Sequence, residues 1–407
     1  MKKFSLSFKL AVISQIISLI GGNILRFVLV LVILELNGTS EAVGTATAIS
    51  AIPNIIFSIP GGVIADRLNK KWCIVALDAC KTLLSLGLIT IFLNGSYSQF
   101  VLTTFITLFA ILVTLFGPIL TSSIPGIVHE DNLVEANGIV QGINAISLLS
   151  GPVLGGLLYS ILNPVTIVLI SGSTFLLSTI IDLFIKIPFQ KTAVKSHVVH
   201  DMKEGFHYMA KENPVILKTA ITYAVLAGLY IPIFAVALPT IIRLQFDLSE
   251  DLIGIAQGFA ALGMLIGGLS SVKVKKWLKV QHFSKWILLL SILCLILALS
   301  VYIPVFTETI LVSFWMFNVG ILMIMTIVAF GDILVMSNVQ EKAPSHLLGK
   351  TIALVLLIAS CAIPVGSYIY GRALDALAEQ TFILFIIIAL ITLMMSVLTR
   401  KIFKNAS

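Results

Sequence analysis

Ionisable side chains stand inside stretches otherwise built from Leu, Ile, Val, Phe and Ala: Arg26, Asp78, Lys81, Asp182 and Asp332. A charge in hydrocarbon is costly, so each is a functional candidate by default. Arg26 lies 17 positions beyond Lys9, about 25 Å along a helix at 1.5 Å per residue. Gln15, Ser18, Gly22 and Arg26 step along one helical face, with Asn23 beside it. Two readings stay open: Arg26 and Asn23 meet a substrate, or Arg26 is an outer clasp held by carbonyls or Glu35. Asp78 and Lys81, three apart on one face, are expected to form a structural ion pair, with Asp78 as a proton site the alternative. Asp332 has no opposite charge at helical spacing, and Asp182 has none within the apolar run before it. Asp182 precedes Lys186 by one turn and is expected to reach water. Asp332 follows the uncharged run 309–331. Low-dielectric surroundings favour a neutral carboxyl, which suits reversible proton uptake. Against that, Asp332 lies about 35 Å from Thr309 along a helix, which could bring it to an aqueous end.

These residues are held by a chain that is mostly oil. Of 407 residues, 58% are apolar and 11% charged, against roughly 25% charged in a soluble domain. That excludes an ordinary soluble enzyme and a disordered chain. The net charge of +7 is spread over short loops, which argues against a nucleic-acid partner. Cys73, Cys80, Cys294 and Cys361 all fall in apolar stretches without a Cys/His cluster. Neither disulfide, metal nor cofactor is expected. The apolar stretch after Lys3 is too long for a cleavable signal peptide.

Runs free of Lys, Arg, Asp and Glu cover 42–65, 82–129, 136–181, 219–242, 252–272, 286–307, 309–331, 351–371 and 380–399. A crossing needs about 20 apolar residues. The two longest runs must therefore turn inside, at Asn94-Gly95-Ser96 and at Asn163-Pro164. With 10–34 and a third span starting near Trp72, twelve spans are expected in an all-α polytopic membrane protein. Lys and Arg gather in alternate loops, around residues 2–9, 67–71, 186–218, 273–285, 342–350 and 400–404. Both termini are therefore expected on the cytoplasmic side of the cell membrane. The longest hydrophilic stretch divides the chain into 1–188, a linker 189–214 and 215–407, with six spans on each side. Val198, Met202, Phe206 and Met209 recur in the linker at helical spacing, which predicts an amphipathic surface helix.

The two halves repeat in order. Ile59-Pro60-Gly61-Gly62 before Lys70-Lys71 is matched by Ile266-Gly267-Gly268 before Lys275-Lys276. Gly151-Pro152-Val153-Leu154-Gly155-Gly156, with Tyr159 after it, is matched by Ile363-Pro364-Val365-Gly366 with Tyr370. Duplicated six-helix halves that rock about a central path are the usual build of a secondary transporter.

Gly62-Val63-Ile64-Ala65-Asp66-Arg67-Leu68-Asn69-Lys70-Lys71 resembles the loop signature G-x-x-x-D-R-x-G-(R/K)-(R/K) of the major facilitator superfamily, with Asn69 at the second Gly. Asn is one of the few other residues that visits left-handed φ. Ser147 through Gly156 resembles the G-x-x-x-G-P-x-x-G-G signature of that superfamily's drug/proton antiporters. Leu133-Val134-Glu135-Ala136-Asn137, Asp201-Met202-Lys203-Glu204-Gly205-Phe206 and the segment 340–350 are similar to the macrolide-efflux branch.

The resemblance implies the major facilitator fold of two six-helix halves. It implies gating by Gly62, Asp66, Arg67 and Lys70, with Asp66 as a latch between halves. Close packing at Gly151, Pro152, Gly155 and Gly156 would go with export. It also implies cavity-lining spans 1, 4, 7 and 10, where Phe116, Tyr223, Tyr230 and Trp315 could touch substrate. Span 4, residues 100–123, lacks the buried Arg usual in drug antiporters, so a proton-linked role would pass to another group, Asp332 first and then Asp182 or Asp78.

The leading reading is a monomeric, proton-coupled exporter of bulky hydrophobic or amphiphilic small molecules such as macrolide-like drugs. No GxxxxGK(S/T) loop for ATP is present. Export of an endogenous siderophore, peptide or lipid is the alternative, and an uncoupled lipid scramblase a third. No nucleophile, metal or paired-carboxylate arrangement points to an enzyme.

Overall fold

In hydrocarbon every backbone N–H and C=O must find its partner within the chain, and a helix does this segment by segment. The computed structural model describes residues 4–95, 97–129, 132–188, 198–302, 310–378 and 380–403. Within these, the side chains of 58–67, 134, 145, 149, 198–201, 272, 275, 345 and 346 lie outside the description.

The described residues form helices joined by short turns: α1 (Leu6–Asn37), α2 (Ser40–Arg67), α3 (Lys70–Leu93), α4 (Gln99–Ile127), α5 (Leu133–Ile161), α6 (Pro164–Phe184) and α7 (Val198–His207). After α7 come α8 (Pro214–Gln245), α9 (Glu250–Val274), α10 (Phe283–Tyr302), α11 (Ile310–Lys342), α12 (Ser345–Ala376) and α13 (Phe382–Phe403). Eleven of them, all but α2 and α7, are long and apolar enough to cross a membrane. The 28 residues of α2 span about 42 Å, the length of a further crossing, but part of it lies outside the described residues.

The turns follow from their residues. Gly95 takes a φ of +64°, a conformation without steric cost for glycine. Asn163 accepts the Thr166 N–H at 2.9 Å ahead of Pro164, which has no N–H to lose at the first helical position. Asn69 departs from the left-handed expectation. Its φ is −68°, and its side chain accepts the Lys71 N–H as the cap of α3, which serves the orphan donors of the helix start. In α8, Pro232 and Pro239 stand inside the helix. A ring there removes a hydrogen bond and crowds the preceding turn, and i→i+5 turns run over Ile233–Ala237 and Ile241–Gln245.

Two units divide the chain. Unit 1 holds 1–37, 49–196 and 250–255; unit 2 holds 38–48, 197–249 and 256–407. In unit 1, α1 packs on α5 and α6, and α3 on α4 and α6. In unit 2, α8 packs on α12, and α10 on α11 and α13. The pair α1 with α5 recurs as α8 with α12, α3 with α6 as α10 with α13, and α3 with α4 as α10 with α11. The repeat of sequence is thus a repeat of packing.

The helix α7 continues as one wide turn, Tyr208–Glu212. Its contacts lie within unit 2: Tyr208 donates to the Lys342 carbonyl at 2.6 Å, and Glu204 pairs with Lys350 at 2.7 Å. Tyr208 and Met209 are buried, while Phe206 is half-exposed.

Candidate functional site

Unit 1 places a cavity of about 90 Å³ against α1. Ser18, Gly22, Asn23 and Arg26 supply one wall, on the face expected of them. Ser50 and Asn54 of α2, Lys81 of α3, Phe109 of α4 and Phe175 of α6 complete it. Arg26 has no ion-pair partner among the described residues. The clasp with Glu35 does not form: Glu35 instead accepts the Tyr159 hydroxyl at 2.6 Å. Asn23 donates to the Ser147 carbonyl on α5 at 3.0 Å. Gln15, one turn below Ser18, donates to Asn144 at 3.0 Å.

Behind that cavity lies a buried polar chain. Lys81 Nζ is 2.7 Å from Asp78 Oδ1 and donates to Ser18 at 3.2 Å, so the expected ion pair is present. The same ammonium stands 4.5 Å over the Phe116 ring. Asp182 does not reach water: it is 1% exposed and turned toward α1. Ser14 Oγ is 2.5 Å from Asp182 Oδ1 and 2.7 Å from Ser178 Oγ, and Ser178 donates to Asp78 Oδ2.

Two acids and one base leave this cluster one positive charge short. Its hydrogen bonds lack a proton in the same way, since three contacts in series share only two hydroxyl protons. A proton on Asp182 repairs both. Asp182 then donates to Ser14, Ser14 to Ser178 and Ser178 to Asp78. Uncompensated buried charge is the expensive alternative.

Removing the base should therefore be severe. Lys81→Met is expected to lower the thermal stability of the solubilised protein by about 3 kcal/mol, the usual cost of stripping a buried charge of its partner. Asp78→Asn in the same chain should restore most of it. A double variant no more stable than Lys81→Met would refute the charge balance.

Unit 2 has a smaller cavity of about 20 Å³, lined almost wholly by apolar side chains, among them Tyr223, Phe283, Trp286 and Ile327. Asp332 follows the lining residue Gly331 on α11, and the Tyr223 hydroxyl faces its carboxyl. Asp332 Oδ1 is buried without a hydrogen-bond partner, as is Asp182 Oδ2.

The other aromatic candidates go elsewhere. Phe116 sits in the core of unit 1 with Phe8, Val12 and Ile119. Tyr230 is fully buried in unit 2, its hydroxyl 3.0 Å from Thr392 Oγ1. Trp315 is half-exposed and meets Phe259 edge-on at 5.8 Å.

Among the gating candidates, Lys70 donates to the Ser122 carbonyl of α4 at 2.7 Å. The side chains of Gly62, Asp66 and Arg67 lie outside the described residues. Gly151 and Gly155 press α5 onto α1: a Cβ on Gly151 would collide with Asn23, and one on Gly155 would stand 2.7 Å from the Phe27 ring. On Gly156 it would stand 3.0 Å from Gly254 Cα of α9. Pro152 is buried beside them, its carbonyl 2.7 Å from a Cβ built on Gly254.

Sequence reasoning missed a second crossing of this kind. Gly44 of α2 and Gly371 of α12 touch so closely that a Cβ on Gly371 would stand 3.0 Å from Gly44 Cα. Beside it, Asp375 accepts the Ser40 and Glu41 N–H groups at 2.7 Å each. By the same correspondence of helices, α2 with α12 repeats α9 with α5, so duplication could have pointed to it. Ser50 and Asn54 carried no comparable signal.

The model of the Major Facilitator Superfamily matches residues 11–367. A relative from Streptococcus pyogenes, "Macrolide efflux protein A", is 24% identical over 357 residues, 86% of this chain and 85% of that one. The nucleoside transporter NupG has a similar structure, with a TM-score of 0.75 at 10% identity over 98% of this chain and all of that one. A bacterial homologue of the iron transporter ferroportin in its inward-facing state has a TM-score of 0.72 at 16% identity, over 96% of this chain and 99% of that one.

Proposed function

The chain belongs to the major facilitator superfamily, a multi-pass membrane transporter by its helices and its family, and on that premise we propose that it is a proton-coupled exporter. Its cargo is bulky hydrophobic or amphiphilic small molecules, with macrolide-like drugs the first class to test. The observation that carries the coupling is the carboxyl of Asp332, half-buried at a cavity border with one oxygen unpaired. Such a carboxyl gains from protonation, and a border position lets the proton come and go. Asp182 differs, because a proton enclosed by α1, α3 and α6 balances charge and stays. Asp78 is neutralised by Lys81.

Export and the macrolide class rest on the name of the S. pyogenes relative and on the small-residue signature of α5. In this reading Arg26 and Asn23 touch the cargo in unit 1, and Tyr223 touches it in unit 2. Asp66, Arg67 and Lys70 gate it by resemblance. Both termini face the cytoplasm of the cell membrane, by the placing of Lys and Arg. The protein acts as a monomer and leaves its cargo chemically unchanged.

The test is a susceptibility panel in an efflux-deficient host, with and without the gene. Raised tolerance to macrolides or other bulky amphiphiles is expected. Protection against none of them would overturn the drug-export reading.

A further inference from the structure

An Arg inside a bilayer is kept only where something answers its charge. Arg26 has the five N–H donors of a guanidinium, and no described acid stands near enough to pair with it. Among the described residues, none of the side chains that line its cavity is Asp or Glu. Lys81, the other cation on the wall, is already paired with Asp78 at 2.7 Å. With a proton on Asp182 the cluster behind the cavity is neutral, so among the described residues the charge of Arg26 stays unanswered.

One further polar group on the wall adds a donor. Asn54 meets the Thr114 hydroxyl at 2.5 Å, and that hydroxyl also reaches the Ala110 carbonyl at 2.8 Å; whichever accepts its proton, the Asn54 amide keeps an N–H group to offer the cavity. Around these donors stand Leu19, Leu25, Leu29, Ile106, Phe109 and Val113, an apolar wall suited to a hydrocarbon tail or ring. Fixed donors and a cation beside an apolar lining are how a site selects an amphiphile by the charge of its head.

We propose that the unit 1 cavity is a binding site for the anionic head of an amphiphile, a carboxylate or a phosphate monoester, held by Arg26 and by the Asn54 amide. This rests on the transport reading and adds to it: an amphiphile that offers unit 1 an acidic head is retained there. The charge-assisted bonds form only when the anion replaces water in the cavity, so affinity follows the head rather than the tail.

The experiment uses the full chain in nanodiscs of zwitterionic lipid, with empty nanodiscs as background. Four probes share an eight-carbon tail: octanoate, octyl phosphate, octyl glucoside and octyltrimethylammonium. Calorimetry gives the affinities. Protection of Arg26 from phenylglyoxal, read by mass spectrometry, locates the bound head. At least one anionic probe is expected to bind about tenfold more tightly than the neutral and cationic ones, a difference of about 1.4 kcal/mol, and to protect Arg26. Octanoate alone would mark a free acid as the cargo class; octyl phosphate alone would mark a lipid-like phosphate.

Arg26→Gln should abolish the preference and Arg26→Lys should keep most of it. Asn54→Asp, which sets a carboxylate on the same wall, should cancel it even if Arg26→Gln fails to fold. Equal binding of anionic and cationic probes, no protection of Arg26, or an unchanged preference in Asn54→Asp would overturn the site. Binding needs no gradient, so a host left unprotected by the gene would sink drug export and leave this result standing. Failure of the probes would leave export standing without this site.

Discussion

Asp332→Asn should exchange substrate down a gradient at a rate near that of the unaltered protein, yet fail to accumulate it against one. The amide has the shape of the protonated acid and cannot release a proton. One proton moving through one pH unit is worth 1.36 kcal/mol, so the variant should lose about a tenfold accumulation ratio for each pH unit imposed on proteoliposomes. Asp182→Asn is the paired control. Its amide N–H donates to Ser14 as the protonated acid would, so the buried chain stays complete and uphill transport should survive. Undiminished uphill transport by Asp332→Asn would remove it from the mechanism. A loss confined to Asp182→Asn would move the coupling proton into the cluster with Asp78 and Lys81.

The double variant Gly151→Leu with Gly155→Leu should abolish transport by sterics alone. Both glycines face α1 where no Cβ fits: Asn23 blocks the first, and the Phe27 ring stands 2.7 Å from a Cβ on the second. Overpacking costs about 1–3 kcal/mol at each site, and here it displaces the stretch of α1 that carries Asn23 and Arg26. Gly138→Leu with Gly142→Leu is the matched control on the same helix, since a Cβ at either glycine meets nothing within 4 Å. Transport and membrane abundance are measured for both pairs. If both pairs transport alike, the α1–α5 contact has no part in function.

Much of the architecture was legible from residue types, because a bilayer leaves the backbone few options. Apolar runs of crossing length became helices, and Asn94-Gly95 and Asn163-Pro164 turned where their conformational preferences require. Asp78 and Lys81 met at 2.7 Å because three residues is a helical neighbour distance. The face of α1 that runs through Ser18, Gly22 and Arg26 lined a cavity, as the resemblance implied.

Periodicity on one helix is silent about what the next helix brings. Asp182 has no partner along α6, and its hydroxyl neighbour Ser14 comes from 168 positions away. Tyr230 and Phe116 sit on helices of the expected kind, yet tertiary packing turned one toward Thr392 and the other beneath Lys81. Gly44 and Gly371 are ordinary glycines until α2 and α12 cross at them. The sequence by itself determined the helices, their order, their duplication and the residues too costly to bury without reason. Only the tertiary structure decided which charges answer one another and which stays unanswered. The reason is physical: helix formation is satisfied by bonds a few residues apart, whereas the cost of a buried charge depends on groups brought from anywhere in the chain.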